Sequence, residues 1–126
     1  MTGESILVVE DDGLIAFYLS ELLEKAGYLI IGLASTGEMV IRQLEEPKKP
    51  DLILMDVGLA GSLDGIETAR LVRQRFSVPL IFLTGYPSGS TIDRMREVEP
   101  EGYIVKPFQE KDLLAVVRKA IDGRAS

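Results

Sequence analysis

The sequence contains neither cysteine nor histidine. Without cysteine it forms no disulfide and offers no thiolate, which agrees with a cytoplasmic setting. Without histidine it lacks the Ser-His and Cys-His nucleophile systems, the usual zinc sites and any phosphohistidine of its own. A covalent phosphoryl intermediate on this chain would have to sit on a carboxylate or a hydroxyl. No apolar run approaches the ~18 residues of a membrane span. Strand-like sequence begins by Ser5, so no secretory leader is expected. Positive charge is scarce as well, with 14 Lys and Arg against 20 Asp and Glu and a net charge of −6. The basic residues are scattered among acids, so direct nucleic-acid binding is not expected and the charge reads as solubility.

What is present suits one ordinary domain. The 126 residues are 46% hydrophobic and 27% charged, and they are expected to form a single unit over 1–126 with its core at about 5–122. Four short apolar runs end on groups suited to phosphate. Ile6-Leu7-Val8-Val9 meets Glu10-Asp11-Asp12, and Leu52-Ile53-Leu54-Met55 meets Asp56. Leu80-Ile81-Phe82-Leu83 meets Thr84, and Tyr103-Ile104-Val105 meets Lys106-Pro107. Such runs, bounded by turn residues, read as strands buried on both faces of a parallel sheet.

Helical patterns alternate with the strands. The first, at about 13–26, carries Leu14, Ile15, Tyr18, Leu19, Leu22, Leu23 and Ala26 as an apolar stripe, with Gly27 placed to end it. Ser35-Thr36-Gly37-Glu38 signals a capping box for a helix at about 36–46, after a strand at about 28–34. Asp64 with Glu67 announces a helix at about 65–76. Pro87-Ser88-Gly89 reads as a flexible turn before a short polar helix at about 90–97, and a last helix takes about 109–122. Five strands and five helices in alternation predict a flavodoxin-like, doubly wound α/β fold of order 2-1-3-4-5. The two carboxylate-bearing strands then lie centrally, beside the crevice where such sheets bind ligands.

Glu10, Asp11 and Asp56 would form a mutually repelling cluster unless a cation neutralised them, and Mg²⁺ suits hard oxygen ligands. Taken alone, the acidic triplet could equally be a solvated turn capping the first helix. Asp56 could likewise be an N-cap, Thr84 a strand-end residue and Lys106 a solvated lysine. Jointly they favour phosphoryl chemistry. Asp56 would be the nucleophile forming an acyl phosphate, Lys106 a point charge on a phosphoryl oxygen, and Thr84 a hydroxyl donor to another.

Together the motifs Ile6-Leu7-Val8-Val9-Glu10-Asp11-Asp12, Leu54-Met55-Asp56, Asp64-Gly65, Leu83-Thr84-Gly85 and Tyr103-Ile104-Val105-Lys106-Pro107-Phe108 resemble a response-regulator receiver domain of two-component signalling. The resemblance implies that Glu10 and Asp11 hold Mg²⁺ and that Asp56 takes a phosphoryl group from a histidine kinase or phosphotransfer protein. Thr84 and Tyr103 would switch a face made by the fourth helix, the fifth strand and the fifth helix, which could also pair two copies. The domain would assist its own phosphorylation and dephosphorylation without acting on an external substrate. Lys106-Pro107 falls where the family has a cis peptide. Gly13, Leu14, Ile15, Pro107 and Phe108 would rim the pocket where a kinase docks.

Two departures stand out. The Val57–Leu63 segment is one residue longer than in many receivers and has Ala60 where proline is common, so greater mobility is expected; Gly58 offers only a backbone carbonyl to a metal. Tyr86 is bulky and lies two residues past Thr84; with Gly58 it predicts a slowly hydrolysed phospho-aspartate. Two other readings fit parts of the pattern. A haloacid-dehalogenase-type phosphatase would need a second Asp where Gly58 stands, together with a cap domain. A pseudo-receiver would bind partners without phosphorylation.

Overall fold

The computed structural model describes residues 3–59, 61–85 and 87–125. Five strands and five helices alternate in the order β1 (Ser5–Val9), α1 (Gly13–Lys25), β2 (Leu29–Ala34), α2 (Gly37–Leu44), β3 (Leu52–Asp56), α3 (Gly65–Arg75), β4 (Leu80–Thr84), α4 (Gly89–Val98), β5 (Gly102–Val105) and α5 (Glu110–Ala125). All four strand pairings are parallel and the sheet order is β2-β1-β3-β4-β5, as the alternation predicts.

Strand alternation divides the core into two layers. Leu7, Val9, Ile53, Met55, Leu80 and Phe82 face α2, α3 and α4, where Val40, Ile66, Val72 and Met95 meet them. Ile6, Val8, Leu52, Leu54, Ile81, Leu83 and Ile104 face α1 and α5, against Leu19, Leu23, Leu113 and Val117. Burial of β1, β3 and β4 on both faces explains why they read as continuous apolar runs.

Helix ends follow local chemistry. Asp12 caps α1, accepting from the N–H groups of Leu14 and Ile15. Gly27, at φ 99°, makes the left-handed turn after it. Thr36, and not Ser35, caps α2 through the Met39 N–H. Asp64 and Glu67 complete the expected capping box on α3. Ser88 caps α4, so the expected flexible turn is instead the ordered start of a longer helix. The apolar stripe of α1 also needs correction: Leu14 and Tyr18 are 79% and 45% exposed, whereas Ala16 is buried beside Leu19, Leu22 and Leu23.

The C-terminal end of α4 is held by one side chain from α3. The Arg73 guanidinium donates to the carbonyls of Val98 at 3.2 Å, Val78 at 3.0 Å and Glu99 at 2.8 Å, and to Glu101 Oε1 at 2.9 Å. Glu99 itself takes the left-handed conformation that ends the helix, with φ 57°. From the middle of α4, Arg94 donates to Asp64 Oδ2 at 2.9 Å.

Candidate functional site

Strand register brings the site together at the carboxyl edge of the sheet. Val9 pairs with Met55, Asp56 with Leu83, and Thr84 with Val105. The next residues along β1 and β5 are therefore Glu10 and Lys106, flanking Asp56 across the same edge. By strand alternation Glu10, Asp56 and Lys106 continue the row facing α1 and α5. Thr84 continues the row of Leu80 and Phe82 toward α4, and Tyr103 shares that side.

Glu10, Asp11 and Asp56 each place one carboxylate oxygen within 4.8 Å of the others. Glu10 and Asp56 are buried and Asp11 is exposed, so the cluster opens to solvent on one side. Lys106 Nζ lies 3.4 Å from Asp56 Oδ2 and 3.7 Å from Glu10 Oε1. Backbone N–H groups orient the two buried acids: Gly58 donates to Asp56 Oδ1 at 3.1 Å, and Asp12 to Glu10 Oε2 at 3.1 Å. Thr84 is buried, and its carbonyl accepts from the Lys106 N–H at 2.8 Å, fixing the start of the segment after β5. Lys106-Pro107 is cis.

A divalent cation fits this donor set. Glu10 Oε1 is buried and accepts no hydrogen bond among the described residues; the Lys106 ammonium lies 3.7 Å from it, beyond hydrogen-bond length. Burial, and then the adjoining Asp56 carboxyl, push the Glu10 carboxyl up to about 7, against the opposing pull of the Asp12 N–H and Lys106. Among the described residues, carboxylates held this close beside one ammonium could hold a hard cation of the Mg²⁺ class.

The acidic triplet divides its work. Asp12 is the helix cap, so the capping explanation open for the triplet holds for that residue, while Glu10 and Asp11 join the cluster with Asp56. Of the expected docking rim, Gly13, Leu14 and Pro107 are exposed, whereas Ile15 and Phe108 are half-buried against the α1/α5 core. Tyr103 is 46% exposed at the sheet edge. In the segment after β3, expected to be mobile, the described residues make several contacts. Leu59 is buried, the Ser62 hydroxyl donates to Glu38 of α2, and the Gly65 N–H donates to the Val57 carbonyl. Tyr86 and Ala60 lie outside the described residues. Sequence reasoning missed Gly58 as a backbone donor and the packing of Gly65; the traces of them are the glycine two residues past Asp56 and the Asp64-Gly65 motif.

Comparison with known proteins agrees with the geometry. The response regulator receiver domain family matches residues 6–118. The transcriptional regulatory protein PdtaR of Mycobacterium tuberculosis is 34% identical over 116 residues, which cover 92% of this chain and 56% of that protein. The phyllosphere-induced regulator PhyR of Methylorubrum extorquens is 37% identical over 116 residues, 92% of this chain and 43% of that one. This chain thus spans about half the length of the curated relatives it matches. The solved signal receiver domain of a modulated diguanylate cyclase from Desulfovibrio desulfuricans G20 has a TM-score of 0.89 at 34% identity, over 98% of this chain and 97% of that one. By fold, motif order and family match, the chain belongs to the response regulator receiver domains.

Proposed function

We propose that this chain is a single receiver domain that accepts a phosphoryl group on Asp56 from a phosphohistidine of a sensor histidine kinase or phosphotransfer protein. An Asp56 oxygen forms the new P–O bond as the P–N bond breaks, and the departing imidazole takes up a proton. Hydrolysis later returns the carboxylate and releases orthophosphate. Glu10, Asp11, Asp56 and the Gly58 carbonyl would hold Mg²⁺, which when bound supplies positive charge to phosphoryl oxygens. Lys106 neutralises another phosphoryl oxygen and Thr84 donates its hydroxyl to a third. The domain acts on no external substrate and binds no nucleic acid itself; it works in the cytoplasm.

One observation carries the reading. Asp56 is buried at the end of a central strand, 3.4 Å from the Lys106 ammonium and within one cluster with Glu10 and Asp11. A structural N-cap needs neither neighbour. The output would be a change in the face of α4, β5 and α5, where Tyr103 and Val105 are exposed on the edge strand and could pair a second copy. Incubation with acetyl phosphate and Mg²⁺ should add one phosphoryl group by intact mass, and Asp56→Asn should abolish it. Undiminished labelling of that variant would place the phosphoryl group elsewhere. A protein that binds Mg²⁺ and is never labelled would be a pseudo-receiver.

A further inference from the structure

Gly65 opens α3 in a conformation any residue could adopt, so its need for glycine is one of space. A Cβ there would lie 2.1 Å from the Asp56 carbonyl oxygen, 2.8 Å from Val57 Cα and 2.9 Å from the Asp56 carbonyl carbon. Every one of these atoms is backbone, so no side-chain rotation could relieve the overlap. The Gly65 N–H also donates to the Val57 carbonyl at 2.9 Å, while the Val57 N–H donates to Leu83 of β4 at 2.9 Å. The peptide that follows the Asp56 side chain is therefore held between β4 and the first turn of α3.

That turn cannot readily retreat. Asp64 caps it, accepting the Glu67 N–H at 2.7 Å and an Arg94 N–H at 2.9 Å. Ile66, Ala69 and Val72 anchor it in the core with no exposed surface. A methyl group at position 65 must then press on the end of β3 that carries the carboxylate.

We infer that Gly65 is a positioning residue for Asp56: its missing side chain lets α3 lie against the Asp56–Val57 peptide and set the carboxylate's place among Glu10, Asp11 and Lys106. The inference rests on the phosphoacceptor reading for its functional consequence, but the placement itself can be measured without phosphoryl transfer. Gly89 is the matched control, because it too is the first residue of a side-chain-capped helix and a Cβ there meets none of the described residues within 4 Å.

Three variants, Gly65→Ala, Gly89→Ala and Asp64→Ala, would be compared with wild type after far-UV circular dichroism confirms folding. In metal-free protein the amide resonance of Gly58, which donates to Asp56 Oδ1, should shift in Gly65→Ala and stay in place in Gly89→Ala. Acetyl-phosphate labelling at saturating Mg²⁺ should slow on the order of 10²-fold in Gly65→Ala, the loss expected for a displacement near 1 Å. Gly89→Ala should label at the wild-type rate. A folded Gly65→Ala with unmoved Gly58 resonance and wild-type labelling would overturn the inference. If Gly65→Ala does not fold, Asp64→Ala decides: it loosens the same turn without adding atoms, and unchanged Gly58 resonance and labelling there would equally overturn it. A shifted Gly58 resonance in a protein whose wild type takes no phosphoryl group supports the positioning and removes only the phosphoacceptor reading.

Discussion

Lys106 stands beside Asp56 at ion-pair distance, 3.4 Å from Nζ to Oδ2, longer than an N–H···O hydrogen bond of ordinary length. The ammonium thus acts on the resting site chiefly as a charge, and it shares the acids with any cation that enters. Lys106→Met should tighten Mg²⁺ binding, by roughly tenfold at low ionic strength, because it removes a like charge at contact range. The same variant should slow phosphoryl transfer, since a phosphoryl oxygen loses its counter-charge. Calorimetric Mg²⁺ titration checks the first effect; weaker binding would show that the two cations do not compete.

Glu10 gives the metal-free protein a pH dependence of definite sign. Its carboxyl is raised from 4.5 to about 7, so between those values the folded chain holds a proton that the unfolded chain releases. Its contribution to stability is full below 4.5 and is lost as pH rises through about 7. In chelator, Tm should therefore fall more steeply over this window in wild type than in Glu10→Gln. Added Mg²⁺ should restore more stability at the upper end than at the lower. Parallel wild-type and variant profiles would mean that Glu10 is not the group responsible.

Arg73 and Arg94 both reach along α4, yet their removal should differ in cost. Arg73 bonds three main-chain carbonyls and a carboxylate, so Arg73→Ala should destabilise the fold by about 2–3 kcal/mol. Arg94 makes a half-exposed ion pair with Asp64, and Arg94→Ala should cost under ~1 kcal/mol. Urea denaturation measures both. Equal losses would show that the main-chain bonds of Arg73 are replaced by water without penalty.

Gly58 bears on the lifetime of the phosphorylated state. A side chain there would start 3.9 Å from Asp56 Oδ1, with no other atom within 4 Å among the described residues beyond its chain neighbours. Gly58→Asn should therefore bring a polar group to the point where an attacking water must be aligned, and shorten the phospho-aspartate lifetime several-fold. Intact-mass decay after removal of acetyl phosphate gives the rate. An unchanged rate would move control of the lifetime away from this position.

Thr84 and Tyr103 lie on the same side of the sheet, toward α4. A phosphoryl group that drew the Thr84 hydroxyl inward would free space for Tyr103, now 46% exposed, to enter. Beryllofluoride with Mg²⁺ should shift the NMR signals of Thr84, Tyr103 and α4 together, and Thr84→Ala should break that coupling. Shifts confined to Glu10, Asp11 and Asp56 would show a site that binds without switching.

The sheet and the cluster were legible because function sits on strand ends. A run such as Leu52–Met55 announces its strand, and Asp56 follows at a position the parallel register fixes. Helix faces were harder. In α1 nearly every third or fourth position is apolar whichever phase is chosen, so Leu14 and Tyr18 could be counted inward although both are exposed, and small Ala16 could be passed over. Backbone roles were invisible for a different reason. That Gly58 donates to Asp56, and that Gly65 leaves room for its carbonyl, depends on where the chain returns in space.

The groups of the pocket come from β1, β3, β4 and β5, so no segment shorter than most of the chain contains them all. Glu10 and Asp56 meet only after α1, β2 and α2 have been threaded between them, and loop closure precedes any reward from a bound ion. Mg²⁺ should therefore leave the refolding rate in water nearly unchanged and slow unfolding instead. The ion would act as a latch on the finished sheet and not as a nucleus for it. A chain cut before β5 would keep its acids and lose the ammonium, trading a poised site for a simple anionic one.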